Sequence, residues 1–272
     1  MNPAASLTRG ALPVGAQLRE WRQRRRLSQL DLSVDAEVST RHLSFVETGR
    51  AMPSREMVLR LADRLDVPLR ERNRLLTAAG FAPMFGERAL DDPALKAARA
   101  AIELVLKGHE PYPALAIDRH WTLVSYNRAV LPLLAGVAPE LLQPPLNVLR
   151  LSLHPKGLAP RIVNFGQWRA HLLARLRQQV AVSADPVLAA LAEELRAYPA
   201  PAGSLGASTV EPTEAPVVMP LVLATPAGTL SFITTTTVFG TPVDITLSEL
   251  ALETLFPADA ATAQALRAAL DG

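Results

Sequence analysis

The chain of 272 residues is 49% hydrophobic, has a formal charge of only +2 and contains no cysteine, which excludes disulfide frameworks, thiolate zinc sites and cysteine nucleophiles. Its apolar runs are shorter than the ~18 residues that cross a bilayer. Its first residues, MNPAASLTRG, contain no apolar signal segment, so we expect a cytoplasmic protein of one or two domains that does not insert into a membrane.

The charges are distributed unevenly along the chain. Residues 1–88 hold 15 arginines against 10 acidic residues, a surplus of five positive charges. Residues 89–272 hold 13 basic against 16 acidic residues, a surplus of three negative charges. This asymmetry favours a polyanionic partner for the N-terminal part.

Five short helices are predicted within residues 14–80. Ser28, Ser39 and Ser54 each suit the N-cap of a helix, and Asp31 lies three residues after Ser28, as in a capping box. Only three or four residues separate the second helix from the third. That arrangement is typical of a helix-turn-helix.

The segment LSQLDLSVDAEVSTRHLSFVETGR resembles the lambda-repressor-like, or XRE, DNA-binding domain. Its L-S-Q-x-x-L core, the V-S before the third helix, the E-x-G-R after it and the later P-S all stand in the register of that family. Glu37 stands where many relatives have a glycine in the turn. The resemblance implies an all-α five-helix domain, which we place at 13–82, between a flexible N-terminus at 1–12 and a linker at 83–92.

In this fold the third helix lies in the major groove of DNA. Leu43 and Val46 lie three positions apart and should face the core, which leaves the opposite side of the helix for DNA. Arg41 suits a two-pronged contact with guanine, whereas Phe45 suits either a thymine methyl or a neighbouring helix. Gln29 resembles the phosphate-positioning glutamine of the family. The predicted DNA-binding residues are Gln29, Ser39, Thr40, Arg41, His42, Ser44, Phe45, Arg50 and Arg26.

Beyond residue 92 the hydrophobic pattern becomes mixed, with helices and strands in alternation. The predicted elements are helices at 93–110, 165–183 and 186–198, strands at 114–117 and 121–126, a hairpin with its turn at 226–228, and a C-terminal helix. Asn127 is expected to cap a short helix, and residues 135–165 and 199–216 are expected to be irregular.

The hairpin of strand, D-x-x-W, strand and Asn is similar to the opening of PAS-like domains. The segments RHLSFVETGRAMPSREMVLRLADRLDVPLRERNRLLTAAGFAP and FGTPVDITLSELALETLFPAD further resemble MmyB-like regulators. That resemblance implies an α+β multidomain chain. Its all-α five-helix helix-turn-helix domain would be followed, at 93–272, by a PAS-like α+β sensor domain with an antiparallel sheet.

No catalytic motif is present in the sequence. It contains no G-x-S-x-G, no glycine-rich phosphate loop and no H-E-x-x-H, and its 5 histidines lack metal-binding spacing. Asp244 and Asp259 are interpreted as a turn residue and a helix cap. We therefore expect neither an enzyme nor a bound cofactor or metal.

A PAS-like sheet covered by helices often encloses a mostly apolar pocket. The candidate apolar residues of this pocket are Leu123, Tyr126, Leu153, Phe165, Trp168, Leu172, Met219, Leu221 and Phe232. Taken singly, each of these residues suits an ordinary hydrophobic core better than a pocket. Its candidate head-group residues are Asn127, His154, Arg161, Asn164 and His171, of which Arg161 or a histidine could meet a carboxylate. The resemblance to MmyB-like regulators implies a small lipophilic ligand, such as a fatty acid.

The sequence thus predicts a homodimeric regulator that binds a double-stranded DNA operator and responds to that ligand through the joint at 80–92. Two alternatives remain open at this point. The C-terminal part could serve only dimerisation or protein docking, or it could be an enzyme fused to a DNA-binding domain.

Overall fold

The computed structural model describes residues 12–201, 218–226, 228–240 and 242–271. Within them, unit 1 runs to Glu87 and also includes Val243–Ile245, and unit 2 comprises the remainder. The predictions for 1–12 and 199–216 lie almost entirely outside the described residues.

Unit 1 is helical, as predicted. Its helices are α1 (Val14–Arg24), α2 (Gln29–Asp35), α3 (Thr40–Glu47), α4 (Arg55–Arg64) and α5 (Leu69–Ala78). The hydroxyl groups of Ser28, Ser39 and Ser54 accept backbone N–H groups at 3.1, 3.1 and 3.2 Å. The Ser28 amide donates to Asp31 at 2.8 Å, which completes the predicted capping box. Local hydrogen bonding therefore explains where α2, α3 and α4 begin.

The five helices of unit 1 surround one apolar core. Leu43 and Val46 are buried in it, as their spacing predicts. The turn before α3 is made at Glu37, whose φ of +53° lies in the left-handed region. A residue with a side chain pays about 1–2 kcal/mol for that conformation. The turn is therefore strained in this chain, whereas many of the proteins it resembles have a glycine there.

Unit 2 contains one five-stranded antiparallel sheet, which together with the helical unit 1 confirms the predicted α+β fold class. Its strands are β1 (Ala114–Ile117), β2 (Leu123–Tyr126), β3 (Leu221–Thr225), β4 (Gly228–Val238) and β5 (Ala251–Pro257). They lie in the order β2-β1-β5-β4-β3. The predicted hairpin is β3 and β4, and the unpredicted β5 is the central strand.

Helices and short helical turns cover the sheet. The helices are α6 (Lys96–Gly108), α7 (Val148–Leu153), α8 (Phe165–Ser183), α9 (Pro186–Ala197), α10 (Ile245–Ser248) and α11 (Ala260–Asp271). Short 3₁₀ helices lie at Pro93–Leu95, Arg128–Leu134, Pro139–Leu142 and Ala159–Arg161. The helix predicted at 165–183 is confirmed. The segment 135–165, expected to be irregular, instead contains α7 and two of these turns.

The two faces of the sheet pack against different helices. On one face, Phe232 joins Trp168 and Leu176 of α8 in a large core. On the other, Leu252 packs with Ile102 and Leu106 of α6. Because β5 is central and covered on both faces, its polar Glu253 and Thr254 are buried as well.

Two predictions near β2 are wrong. The strand begins at Leu123 rather than Trp121, whose φ of +67° belongs to the preceding turn. Asn127 makes no capping hydrogen bond. Its side chain accepts the Ala114 amide at 3.1 Å and donates to the carbonyls of Leu106 and Tyr112 at 3.0 and 2.8 Å. Asn127 therefore joins α6 to the sheet, a contact that sequence spacing does not reveal.

The prediction that Asp259 caps a helix is confirmed. Its carboxylate accepts the Thr262 amide at 2.7 Å at the start of α11. This hydrogen bond lowers the pKa of Asp259, because it favours the charged carboxylate.

Candidate DNA-binding face and ligand cavity

A buried ion pair holds α3 against the start of unit 1. Glu47, at the end of α3, accepts hydrogen bonds from Nε and Nη2 of Arg22 at 2.7 and 2.9 Å and from Gln29 at 2.7 Å. The Glu47 side chain is 1% exposed and that of Arg22 is 10% exposed. The network therefore ties α3 to α1 and to the beginning of α2.

The charge of Glu47 is favoured within this network. Burial raises the pKa of its carboxyl, but the hydrogen bonds from Arg22 and Gln29 outweigh that effect and leave the pKa below its ordinary value. The side-chain amide N–H of Gln29, predicted to position a phosphate, is thus engaged with Glu47 in the free protein.

The ring of Phe45 on α3 is close to two cationic side chains. The guanidinium carbon of Arg41 is 5.4 Å from its ring centroid, and that of Arg50 is 6.0 Å from the same centroid. Such cation–π contacts stabilise a guanidinium at an exposed site by about 0.5–1 kcal/mol. Arg41 and Arg50 are therefore partly ordered on one aromatic surface.

The nine predicted DNA-binding residues all lie on α2, on α3 or in the flanking turns. Arg26, Ser39, Arg41 and Arg50 are exposed, and Gln29, Thr40, His42, Ser44 and Phe45 are half-buried. The hydroxyl of Thr40 lies 2.8 Å from that of Ser33, so its side chain is fixed to α2. Their contacts with DNA stay a prediction.

A cavity of about 130 Å³ lies in unit 2 between the sheet, α7 and α8. Leu115, Leu123, Leu221, Thr234 and Leu255 bring all five strands to its lining. Of its 21 lining residues, 17 are apolar. Engineered apolar cavities of ~150 Å³ bind small aromatic molecules, so this space suits part of an apolar ligand.

The cavity includes some of the apolar residues predicted for it. Leu123, Trp168, Leu172 and Leu221 line it. Leu153, Phe165 and Phe232 instead belong to the buried core, Met219 packs at the edge of that core, and Tyr126 is 45% exposed.

The polar residues predicted to bind a head group do not line this cavity. Asn164 binds the backbone of Pro220 and Val222, and Arg161 donates to the carbonyls of Leu133 and Ala135. Residues Asn127, His154 and His171 are likewise engaged, with backbone groups or with the aromatic rings of Tyr198 and Trp168. Tertiary hydrogen bonds thus use the groups that looked available in the sequence.

The four polar residues of the lining are Ser152, Thr234, Arg175 and Glu253. Ser152 accepts the indole N–H of Trp168 at 3.0 Å. Arg175 is paired with Glu253, at 2.6 Å between Nη2 and Oε1, although the charge of an arginine by itself favours a solvated position. Its spacing offered a signal, because seven residues after Trp168 is nearly two helical turns and hence the same face of α8.

Among the described residues, no group of three or more histidine or acidic side chains is placed to bind a metal ion. In the same part of the chain, no helix combines the length and the apolar character that crossing a membrane requires.

Comparison with known families covers both units. The profile of the MmyB-like transcription regulator ligand binding domain matches residues 98–269, and that of a helix-turn-helix domain matches residues 13–75. Both families are regulatory rather than enzymatic. Among curated proteins, none matches the chain. The chain therefore belongs to the MmyB-like transcription regulators and is a ligand-responsive regulator whose ligand-binding domain follows a helix-turn-helix domain.

Proposed function

We propose that the chain is a cytoplasmic, homodimeric regulator of the XRE type that binds its operator through α3 and changes its DNA affinity when a fatty-acid-like molecule occupies the cavity of unit 2. The observation that carries this proposal is the apolar cavity with a single arginine–glutamate pair in its lining. A dimer is expected because one helix-turn-helix covers about half of a two-fold symmetric operator.

The DNA contact is supported by the position of Arg41 on the first turn of α3. Its contact with Phe45 restricts the guanidinium before DNA arrives, which lowers the entropy lost when it binds a guanine edge. Arg26 and Arg50 are exposed and suit phosphate oxygens, which orient a protein on DNA without specifying sequence.

The operator is first selected from random DNA. Arg41→Ala is expected to weaken binding to this operator by about 1–3 kcal/mol, or about 5- to 150-fold, and to weaken binding to random DNA much less. Fluorescence anisotropy at fixed salt measures both affinities. Arg50→Ala is the matched control, since losing a phosphate contact weakens both DNAs alike. Equal weakening of operator and random DNA by Arg41→Ala would contradict a role in base recognition.

The ligand proposal is supported by the chemistry of the lining. A cavity that is almost wholly apolar binds a hydrocarbon chain by removing it from water, at about 25 cal/mol per Å² of apolar surface. Few polar groups are then left to orient the molecule. Arg175, which lies at the lining, suits the acid group of such a chain.

Native mass spectrometry of freshly purified protein tests this proposal directly. We expect a dimer carrying one lipophilic molecule per chain, which solvent extraction releases for identification. A Leu172→Phe variant places a larger side chain at the lining and should remain dimeric but lose the adduct. A bare chain mass that also fails to take up added dodecanoic acid would favour a C-terminal unit that serves only dimerisation or docking.

Coupling between ligand and DNA requires that the ligand bind two arrangements of the protein with different affinities. Chain connectivity supports a route for it. Ile245 of unit 1 donates its amide to Gly86 in the 80–92 joint at 2.8 Å. Six residues after Ile245 the chain enters β5, which carries Glu253. Glu253 is therefore only eight residues along the chain from Ile245, whose amide is hydrogen-bonded to the joint.

A further inference from the structure

Among the described residues that line the cavity, only Arg175 and Glu253 are charged. Nη2 and Nη1 of Arg175 donate to the two carboxylate oxygens of Glu253 at 2.6 and 3.2 Å. The Glu253 side chain is 8% exposed and that of Arg175 is 26% exposed. The pair is thus neutral as a whole and partly buried.

The neighbours of the pair hold it in place but leave it room for a ligand. Nη2 of Arg175 also donates to Thr236 at 2.7 Å, and Thr236 donates to Glu253 at 3.0 Å. The guanidinium lies 4.6 Å from the ring centroid of Trp121, which itself lines the cavity. Among the described residues, Nε of Arg175 makes no hydrogen bond and Nη1 makes one, so two of the five N–H groups remain for an acceptor on the ligand.

An incoming carboxylate would change the charge of this site. With Glu253 ionised, the guanidinium of Arg175 would face two carboxylates and could compensate the charge of only one. An excess negative charge is strongly disfavoured in apolar surroundings. Uptake of one proton removes the excess, because the two carboxyl groups then share a single negative charge opposite the guanidinium.

We propose that Arg175 binds the acid group of the ligand and that Glu253 competes for the same guanidinium, an inference that rests on the proposed function. The acid then binds together with one proton, which is held between the two carboxyl groups. Glu253 thereby acts as the residue that sets the pH range in which an acid is accepted. A neutral lipophilic molecule would bind without a proton.

His171, one helical turn before Arg175 on α8, is a titratable group that interacts electrostatically with both members of the pair. Burial and the positive charge of Arg175 lower the pKa of His171, whereas Glu253 opposes that shift. The lowered pKa favours the neutral imidazole, which makes His171 the alternative acceptor for the proton. Thr236 on β4 and Trp121, the other neighbours of the guanidinium, do not titrate in this range.

Calorimetric titration with dodecanoic acid, with dodecanol as the neutral probe, tests the inference on the full-length protein. Repeating it in buffers of different ionisation heat counts the protons taken up. For the wild type at about pH 8 we expect one proton per dodecanoate, none per dodecanol, and a dodecanoate affinity that falls about tenfold per pH unit.

Two variants locate the proton. Glu253→Gln should abolish proton uptake and tighten dodecanoate binding at about pH 8 by tenfold or more, with dodecanol affinity little changed. His171→Gln should retain the uptake. Uptake that persists in Glu253→Gln and disappears in His171→Gln would overturn the assignment to Glu253.

The inference and the proposed function fail in different ways. Dodecanoate that binds with no proton uptake and with an affinity unaffected by Glu253→Gln would overturn the inference and leave a lipid-binding regulator in place. A protein that binds neither dodecanoate nor dodecanol would contradict the proposed ligand class itself.

Discussion

Glu47→Ala is expected to destabilise unit 1 by about 3–5 kcal/mol. The substitution removes the acceptor of three hydrogen bonds and leaves the guanidinium of Arg22, which is 10% exposed, without its carboxylate. An unpaired charge inside a helical core is far more costly than the loss of the pair's own attraction. Since Glu47 ends α3, this helix should lose its position first.

Hydrogen exchange read by mass spectrometry measures this effect in the full chain, because it reports α1 and α3 separately from unit 2. The matched control is Glu71→Ala, which breaks an i,i+3 pair with Arg74, 63% exposed, and should cost about 0.5 kcal/mol or less. Equal protection of α1 and α3 in the two variants would show that the buried pair contributes no more than a surface pair.

The same pair gives unit 1 a defined response to acid. The pKa of Glu47 is lower in the folded protein than its ordinary value of about 4.3. A lowered carboxyl pKa adds stability that is fully present above the unfolded pKa and is lost as the pH falls through the folded one. Below about pH 4, wild-type unit 1 should lose stability more steeply than the alanine variant does.

Phe232→Ala is expected to destabilise unit 2 by about 3–5 kcal/mol. Phe232 lies on β4 opposite Leu221 and Pro257 and is 0% exposed. Removing its ring leaves a cavity in a core that can relax only partly, so the lost dispersion contacts add to the lost burial.

Urea denaturation followed by exchange protection of β4 and β5 measures this loss. Phe256→Ala is the matched control in the same sheet, and it should cost less than half as much because Phe256 is already 41% exposed. A Phe232→Ala protein with unchanged stability but altered dodecanoate affinity would place this ring at the ligand, as the sequence suggested, rather than in the core.

Arg175 shows why the polar residues of the site were hard to predict. Its charge favoured a solvated position, yet its helical spacing from Trp168 put it on the buried face of α8. Charge and helical spacing therefore favour opposite positions for this residue. The deciding fact was a carboxylate 78 residues away, which compensates the charge and makes burial acceptable.

The sequence does not predict β5, for a related reason. The sequence ALETLFP mixes polar and apolar residues in a way that matches neither an alternating strand nor an amphipathic helix. In the sheet, Thr254 meets Thr235 at 2.6 Å and Glu253 meets Arg175, so both polar groups are satisfied while buried. A central strand of this kind is defined by its neighbours, which lie far away in the chain.

The motifs of the sequence indicated the family to which the chain belongs. By itself, the sequence also determined the five helices of unit 1, the side-chain caps of three of them, the helix at 165–183 and the β3–β4 hairpin. These features depend on contacts between residues three or four apart, or between strands joined by a tight turn. Only the tertiary structure decided that β5 is central, that Asn127 joins α6 to the sheet and that Arg175 pairs with Glu253 beside an apolar cavity. A polar side chain is buried without a large cost only where a hydrogen-bonding or oppositely charged partner is present. Here those partners come from distant parts of the chain.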